Sequence, residues 1–188
     1  NWTPPAESVG KTYVARFRVK DNTAEELSDT KTVTITTGTL WAKTAGPEGG
    51  VVNSLVAVGA NLFAGTFSGG VFRSPDQGNT WTVANNGLGE LSVNAVFATG
   101  SALLAGTEAG GIYLSPDQGQ NWTATNIREL RVFEFAANGN TLFAATDSLV
   151  RRSTDGGRTW TGTNLNLFDV EVVRTVLTKD GRVFAGTL

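Results

Sequence analysis

Ser74-Pro75-Asp76-Gln77-Gly78-Asn79-Thr80-Trp81 returns as Ser115-Pro116-Asp117-Gln118-Gly119-Gln120-Asn121-Trp122 and again as Ser153-Thr154-Asp155-Gly156-Gly157-Arg158-Thr159-Trp160. In such an octet, Ser-x-Asp-x-Gly-x-x-Trp, each fixed residue has a folding task. The Asp carboxylate accepts backbone N–H bonds across a hairpin turn, and the Gly takes a φ > 0 position closed to most side chains. The Ser adds a second local bond, and the Trp turns its indole under the loop to fill space between sheets, worth on the order of a few kcal/mol. On this reading Asp76, Asp117 and Asp155 are consumed by their own turns and do not form a carboxylate array for catalysis.

Aligned on the octets, the chain is periodic from residue 40 onward. Tryptophans fall at 41, 81, 122 and 160, spaced by 40, 41 and 38 residues. Leu62-Phe63-Ala64-Gly65-Thr66 corresponds to Leu103-Leu104-Ala105-Gly106-Thr107, Leu142-Phe143-Ala144-Ala145-Thr146 and Val183-Phe184-Ala185-Gly186-Thr187. Each unit offers four short strands: an inner one such as residues 54–58, the Leu-Phe-Ala-Gly-Thr strand, the strand entering the octet, and one starting at the Trp. Four short strands per unit of about 40 residues is the signature of a β-propeller blade. The expected fold is therefore all-β, a partial β-propeller of three complete four-stranded blades, an opening fourth strand at residues 40–44 and a closing half blade. Such an arc leaves two exposed edges, to be completed by further blades of a longer parent chain or by a second copy.

The three octets resemble the Asp-box, or BNR, repeat of sialidase-like β-propellers, over residues 40–188. The resemblance implies that Ser74, Asp76, Gly78 and Trp81, Ser115, Asp117, Gly119 and Trp122, and Ser153, Asp155, Gly157 and Trp160 lie at the periphery, away from any active site. In texture the repeats are similar to bacterial secreted repeat propellers and to the photosystem II assembly-factor-like group. Sialidases would need an arginine cluster, a Tyr nucleophile paired with Glu, and an Arg-Ile-Pro stretch, and no Arg-Ile-Pro occurs here. Xyloglucan-cleaving propellers use two facing carboxylates, a geometry that Glu134 with Asp169 or Glu171 would have to imitate.

Residues 1–39 stand outside the repeat. Tyr13 to Lys20 alternates apolar with basic positions at the period of a half-buried strand, and Thr32-Val33-Thr34-Ile35-Thr36 is a second such run, so a hairpin with a long connection is expected. The pattern resembles the last two strands of an immunoglobulin-like module of the PKD or cadherin-like type, implying a secreted, extracellular or cell-surface setting. Asp21, Glu25, Glu26 and Asp29 lack calcium-loop spacing and read as a solvated turn.

Composition narrows the chemistry. Cysteine and histidine are both absent, which removes disulfides, thiol nucleophiles and imidazole mechanisms, and no metal or cofactor is expected. With 15 Lys and Arg against 17 Asp and Glu and a net charge of -2, neither nucleic acid nor an anionic membrane surface is implied. No apolar run approaches the ~20 residues of a membrane span. Opening at Asn1 without a leader, the chain reads as a processed or excised piece of something longer.

Propellers bind at one mouth of the central channel, with inner-strand residues and the adjoining loops. Framework columns repeat and site columns need not. Val52, Val93, Val132 and Val173 agree, whereas the next column reads Asn53, Asn94, Phe133, Arg174 and the one after it Ser54, Ala95, Glu134, Thr175. Glu134 and Arg174 are charged intrusions, and Arg131, Asp169 and Glu171 flank the same mouth. These five are the candidate ligand contacts, with solvated loop charge or cross-blade ion pairing as the alternative for each. The expected function is a non-catalytic scaffold for a protein or glycan ligand; the alternative is a fragment of a propeller glycoside hydrolase.

Overall fold

Strands bounded by glycine turns and apolar on both faces belong in sheets that are covered on both sides. The computed structural model describes residues 12–20, 28–36, 46–47, 50–100, 102–163 and 172–187, and of 12–20 and 28–36 it describes the backbone. The chain divides into two units, Asn1–Lys43 and Thr44–Leu188. The described residues contain strands and turns and no helix.

In the first unit β1 (Thr12–Lys20) pairs antiparallel with β2 (Ser28–Thr36), with Tyr13 opposite Ile35 and Lys20 opposite Ser28. The second strand starts earlier than the β-branched run from Thr32 indicates. The antiparallel ladder carries Ser28 and Asp29 into the sheet despite their low strand propensity, so the connection is shorter than expected.

The second unit holds three four-stranded antiparallel sheets and a two-stranded one. Blade 1 is β3 (Val52–Val58), β4 (Asn61–Thr66), β5 (Gly70–Ser74) and β6 (Thr82–Val83). Blade 2 is β7 (Val93–Thr99), β8 (Ala102–Thr107), β9 (Ile112–Ser115) and β10 (Thr123–Ala124). Blade 3 is β11 (Val132–Asn138), β12 (Thr141–Thr146), β13 (Val150–Ser153) and β14 (Thr161–Gly162). The half blade is β15 (Val173–Lys179) with β16 (Arg182–Thr187). This is a partial β-propeller. The expected opening strand at residues 40–44, with Trp41, lies outside the described residues.

The octets form the turns that their chemistry dictates. Ser74 Oγ accepts the Gly78 N–H at 2.7 Å and donates to Asp76 Oδ1 at 2.9 Å, and Asp76 Oδ1 accepts the Thr80 N–H at 2.9 Å. Ser115 and Asp117, then Ser153 and Asp155, repeat both Ser bonds and the carboxylate-to-backbone bond. These bonds hold all three carboxyls below the ordinary range: chiefly the Thr80 N–H at Asp76, the Asn121 side chain at Asp117, and the Thr159 hydroxyl at Asp155, which is lowered to about 2.

The fourth strands begin one residue after the Trp, not at it as expected. In blades 2 and 3 the Trp N–H is committed to the preceding blade: Trp122 N–H to Asn86 O at 2.8 Å, Trp160 N–H to Asn126 Oδ1 at 2.9 Å. The indoles also differ in their bonds. Trp81 and Trp160 donate to their own Gly78 and Gly157 carbonyls, whereas Trp122 Nε1 donates to Ala84 O of blade 1.

The core is a series of junctions of one design. Phe63 of blade 1 packs with Val93, Val96 and Leu103 of blade 2 beneath Trp122. Leu104 packs with Val132, Phe135 and Leu142 of blade 3 beneath Trp160. Phe143 packs with Val173, Val176 and Val183 of the half blade. A side chain on the second strand of one blade is thus a knob, and the first two strands of the next blade are its socket.

Candidate functional site

Each inner strand carries the same irregularity at its second residue. The register slips between Val52 and Ser54, Val93 and Ala95, Val132 and Glu134, and Val173 and Thr175. The extra residues are Asn53, Asn94, Phe133 and Arg174, the column in which the repeat diverges. A β-bulge takes a residue out of the ladder and re-aims its side chain, so every blade presents one freely chosen side chain on the inner-strand face.

Blades 1 and 2 spend that side chain on the framework. Asn53 Nδ2 donates to Val93 O at 3.0 Å and Asn94 Nδ2 to Val132 O at 3.2 Å, each bridging to the next blade's inner strand. Asn94 also donates to Glu108 Oε2 at 2.9 Å, and Glu108 Oε1 pairs with Arg131. Phe133 has no such donor. Its ring lies under the Arg174 guanidinium, 4.4 Å from centroid to Cζ, with Arg131 Cζ at 5.8 Å. Arg174 is exposed, and among the described residues it makes no hydrogen bond or ion pair. The stack limits the rotamers of a long, exposed side chain without using its N–H donors, a preorganised way to meet an acceptor.

Glu134 faces the same region but is already engaged. Its Oε2 accepts the Val176 N–H at 3.0 Å and a short hydrogen bond from the Thr175 hydroxyl. Two blades earlier, Ser54 Oγ does the same for the next inner strand, accepting the Val96 N–H at 3.0 Å. The charged intrusion thus occupies a column that joins neighbouring inner strands.

Asn53, Asn94, Phe133, Glu134, Arg174 and Thr175 line an open depression of about 460 Å³. Of the candidates read from sequence, the structure brings Glu134 and Arg174 to this depression and places Arg131 beside the Phe133 ring. Asp169 and Glu171 lie outside the described residues. Phe133 escapes a reading by sequence because an aromatic on an inner strand reads as core; its place in the divergent column is the available signal. Among the described residues Glu134 is the only carboxylate lining the depression.

The sequence matches no protein-family model and no curated protein. Solved structures resemble it in fold. The computationally designed Ika4 protein is 12% identical with a TM-score of 0.60, over 77% of this chain and 89% of that one. BT3049, the extracellular domain of a proposed hybrid two component system from B. thetaiotaomicron, is 18% identical with a TM-score of 0.64, over 78% of this chain and 21% of that one. YCF48 bound to D1 peptide is 20% identical with a TM-score of 0.56, over 72% of this chain and 47% of that one. An ancestral GH74 enzyme is 16% identical with a TM-score of 0.58, over 71% of this chain and 21% of that one. The chain thus spans less than half the length of these three natural or ancestral propellers, and the likeness is one of fold.

Proposed function

We propose that the chain is a non-catalytic propeller scaffold, extracellular or at the cell surface, that binds a protein or glycan ligand on its inner-strand face. The observation that carries this reading is the Phe133–Arg174 stack, a flat apolar surface beside exposed guanidinium donors that find no partner among the described residues, in an open depression of about 460 Å³. Such a pair suits a ligand with one apolar face and one acceptor edge. Neighbours of the same fold supply analogies: YCF48 is bound to a peptide, and BT3049 is an extracellular domain. The octets' hydrogen bonding supports placing them with Asp-box repeats, and the β1–β2 pairing supports an immunoglobulin-like module of the PKD or cadherin-like type ahead of the propeller.

Sensor-based binding of the chain to a panel of short acidic peptides, sialylated oligosaccharides and β-glucan oligosaccharides tests it. A ligand is expected whose affinity falls at least ~10-fold in Phe133→Ala and in Arg174→Ala, with thermal midpoints unchanged. Binding that survives both substitutions overturns the site. The hydrolase alternative draws on the GH74 neighbour and on Glu134, with Asp169 and Glu171 as the other carboxylates. Turnover of sialosides or β-glucans that Glu134→Gln abolishes would replace the scaffold reading.

A further inference from the structure

The third octet departs from the first two at three of its variable places. Pro75 and Pro116 give way to Thr154, Gln77 and Gln118 to Gly156, and Asn79 and Gln120 to Arg158. All three replacements line one open hollow of about 460 Å³, whose other walls carry Thr99 and Gly100 at the end of β7 and Gly139 and Asn140 between β11 and β12. Its walls thus come from blades 2 and 3, both complete in this chain. The hollow lies at the opposite end of the inner strands from the Phe133–Arg174 depression, and Phe97 borders both.

The exchange at Gly156 opens space. At the preceding junction Gln118 Oε1 accepts from Asn61 Nδ2 at 3.2 Å, and Asn61 Oδ1 accepts from Arg73 Nε and Nη2 at 3.1 and 3.0 Å, a polar bridge from the octet of blade 2 to blade 1. The counterparts one blade on are Gly156, Ala102 and Leu114, so none of that bridge is kept. A Cβ placed on Gly156 would meet nothing nearer than Arg158 Nη1 at 3.6 Å. Folding of the turn does not call for these exchanges, because Ser153 and Asp155 make the same bonds as their counterparts in the other two octets.

The lining is mixed in character. Arg158 is exposed and steadied by Nη1, which donates to Asp155 O at 3.0 Å, one of five guanidinium N–H donors. Thr99, Thr154 and Asn140 add two hydroxyls and an amide, groups that both donate and accept. Phe97, Ala98, Ala137 and Leu142 supply an apolar floor. Charge is balanced, since Asp155 and Arg158 are the ionised residues of the lining: an anion would meet the first and a cation the second. We infer that this hollow binds a neutral saccharide, its C–H face on the apolar floor and its hydroxyls bonded to Arg158, Asn140 and the two threonines. The volume falls within the ~300–1,000 Å³ of small-molecule sites.

Backbone amide spectra of the isotope-labelled chain, titrated with cellobiose, maltose or lactose at millimolar concentration, test the assignment. With at least one of these sugars the amides of Gly139, Gly156 and Arg158 are expected to shift saturably. No saturable shift with any of the three overturns the inference, and so do shifts confined to Phe133 and Arg174, which would place the sugar in the other depression. Ala102→Asn combined with Gly156→Gln restores the bridging pair of the preceding junction and is expected to weaken binding ~10-fold or more. Arg158→Gln, which copies the second octet, is expected to weaken it ~10-fold, whereas Arg174→Ala leaves it unchanged. Binding that survives both the double replacement and Arg158→Gln undiminished overturns the site. Glucuronate and glucosamine are expected to bind more weakly than the neutral sugar, and tighter binding of either charged sugar overturns the neutral assignment.

Discussion

Two consecutive residues in every octet turn adopt left-handed backbone: Gln77 and Gly78 at φ 60° and 90°, Gln118 and Gly119 at 57° and 80°, Gly156 and Gly157 at 74° and 89°. Only the third turn fills both places with glycine. A side chain in that region costs ~1–2 kcal/mol, partly offset by the extra entropy that glycine loses on folding. Gln77→Gly and Gln118→Gly are therefore expected to stabilise the chain by roughly 0.5–1 kcal/mol each, read from denaturant midpoints at constant slope. The opposite outcome is expected at the serines. Ser115 is fully buried and its hydroxyl accepts the Gly119 N–H, so Ser115→Ala orphans a buried donor at a cost of ~1–3 kcal/mol. The lowered carboxyl of Asp155 sets a pH signature. A group whose folded pKa is depressed contributes stability that is complete above its unfolded pKa and is lost as pH falls through the folded one. Between the ordinary value of 3.8 and about 2, the thermal midpoint should drop in wild type and less steeply in Asp155→Asn, so the two curves converge toward acid.

Between elements, the junctions dictate where glycine is required. A Cβ on Gly106 would lie 2.5 Å from Val132 Cγ1 and 2.8 Å from Val132 Cβ, atoms held by a β-branched side chain on a packed inner strand. Gly106→Ala is thus expected to destabilise by ~1–3 kcal/mol through overpacking, and Val132→Ala in the same chain to relieve some of it; a double-mutant cycle measures the coupling. Glu134 makes a second test at this scale, since its bond to the Val176 N–H joins blade 3 to the half blade. Glu134→Ala should speed amide exchange at Val176, while Glu134→Gln, which retains an acceptor, should largely preserve protection. This is also where sequence legibility ends. The octet register reveals the blades, because Ser, Asp, Gly and Trp are each demanded by local geometry. The inner strands reveal a divergent column, because only the bulge is free of the ladder. Long-range pairing is not local in that sense: nothing near Glu134 in sequence announces Val176, 42 residues on, and nothing near Phe133 announces the Arg174 stack.

At the scale of the propeller unit, stability is a sum over blades and junctions, as in other repeat architectures. A substitution's cost then depends on which junction it enters, even when the residue and its column are the same. Phe63 is fully buried between blades 1 and 2, and Phe184, its counterpart on β16, is half exposed. Phe63→Ala should cost ~3–5 kcal/mol through lost transfer energy and the cavity left behind. Phe184→Ala should cost about 1 kcal/mol or less. Denaturant unfolding of both variants measures the difference, and equal costs would mean that the half blade encloses Phe184 as fully as blades 1 and 2 enclose Phe63.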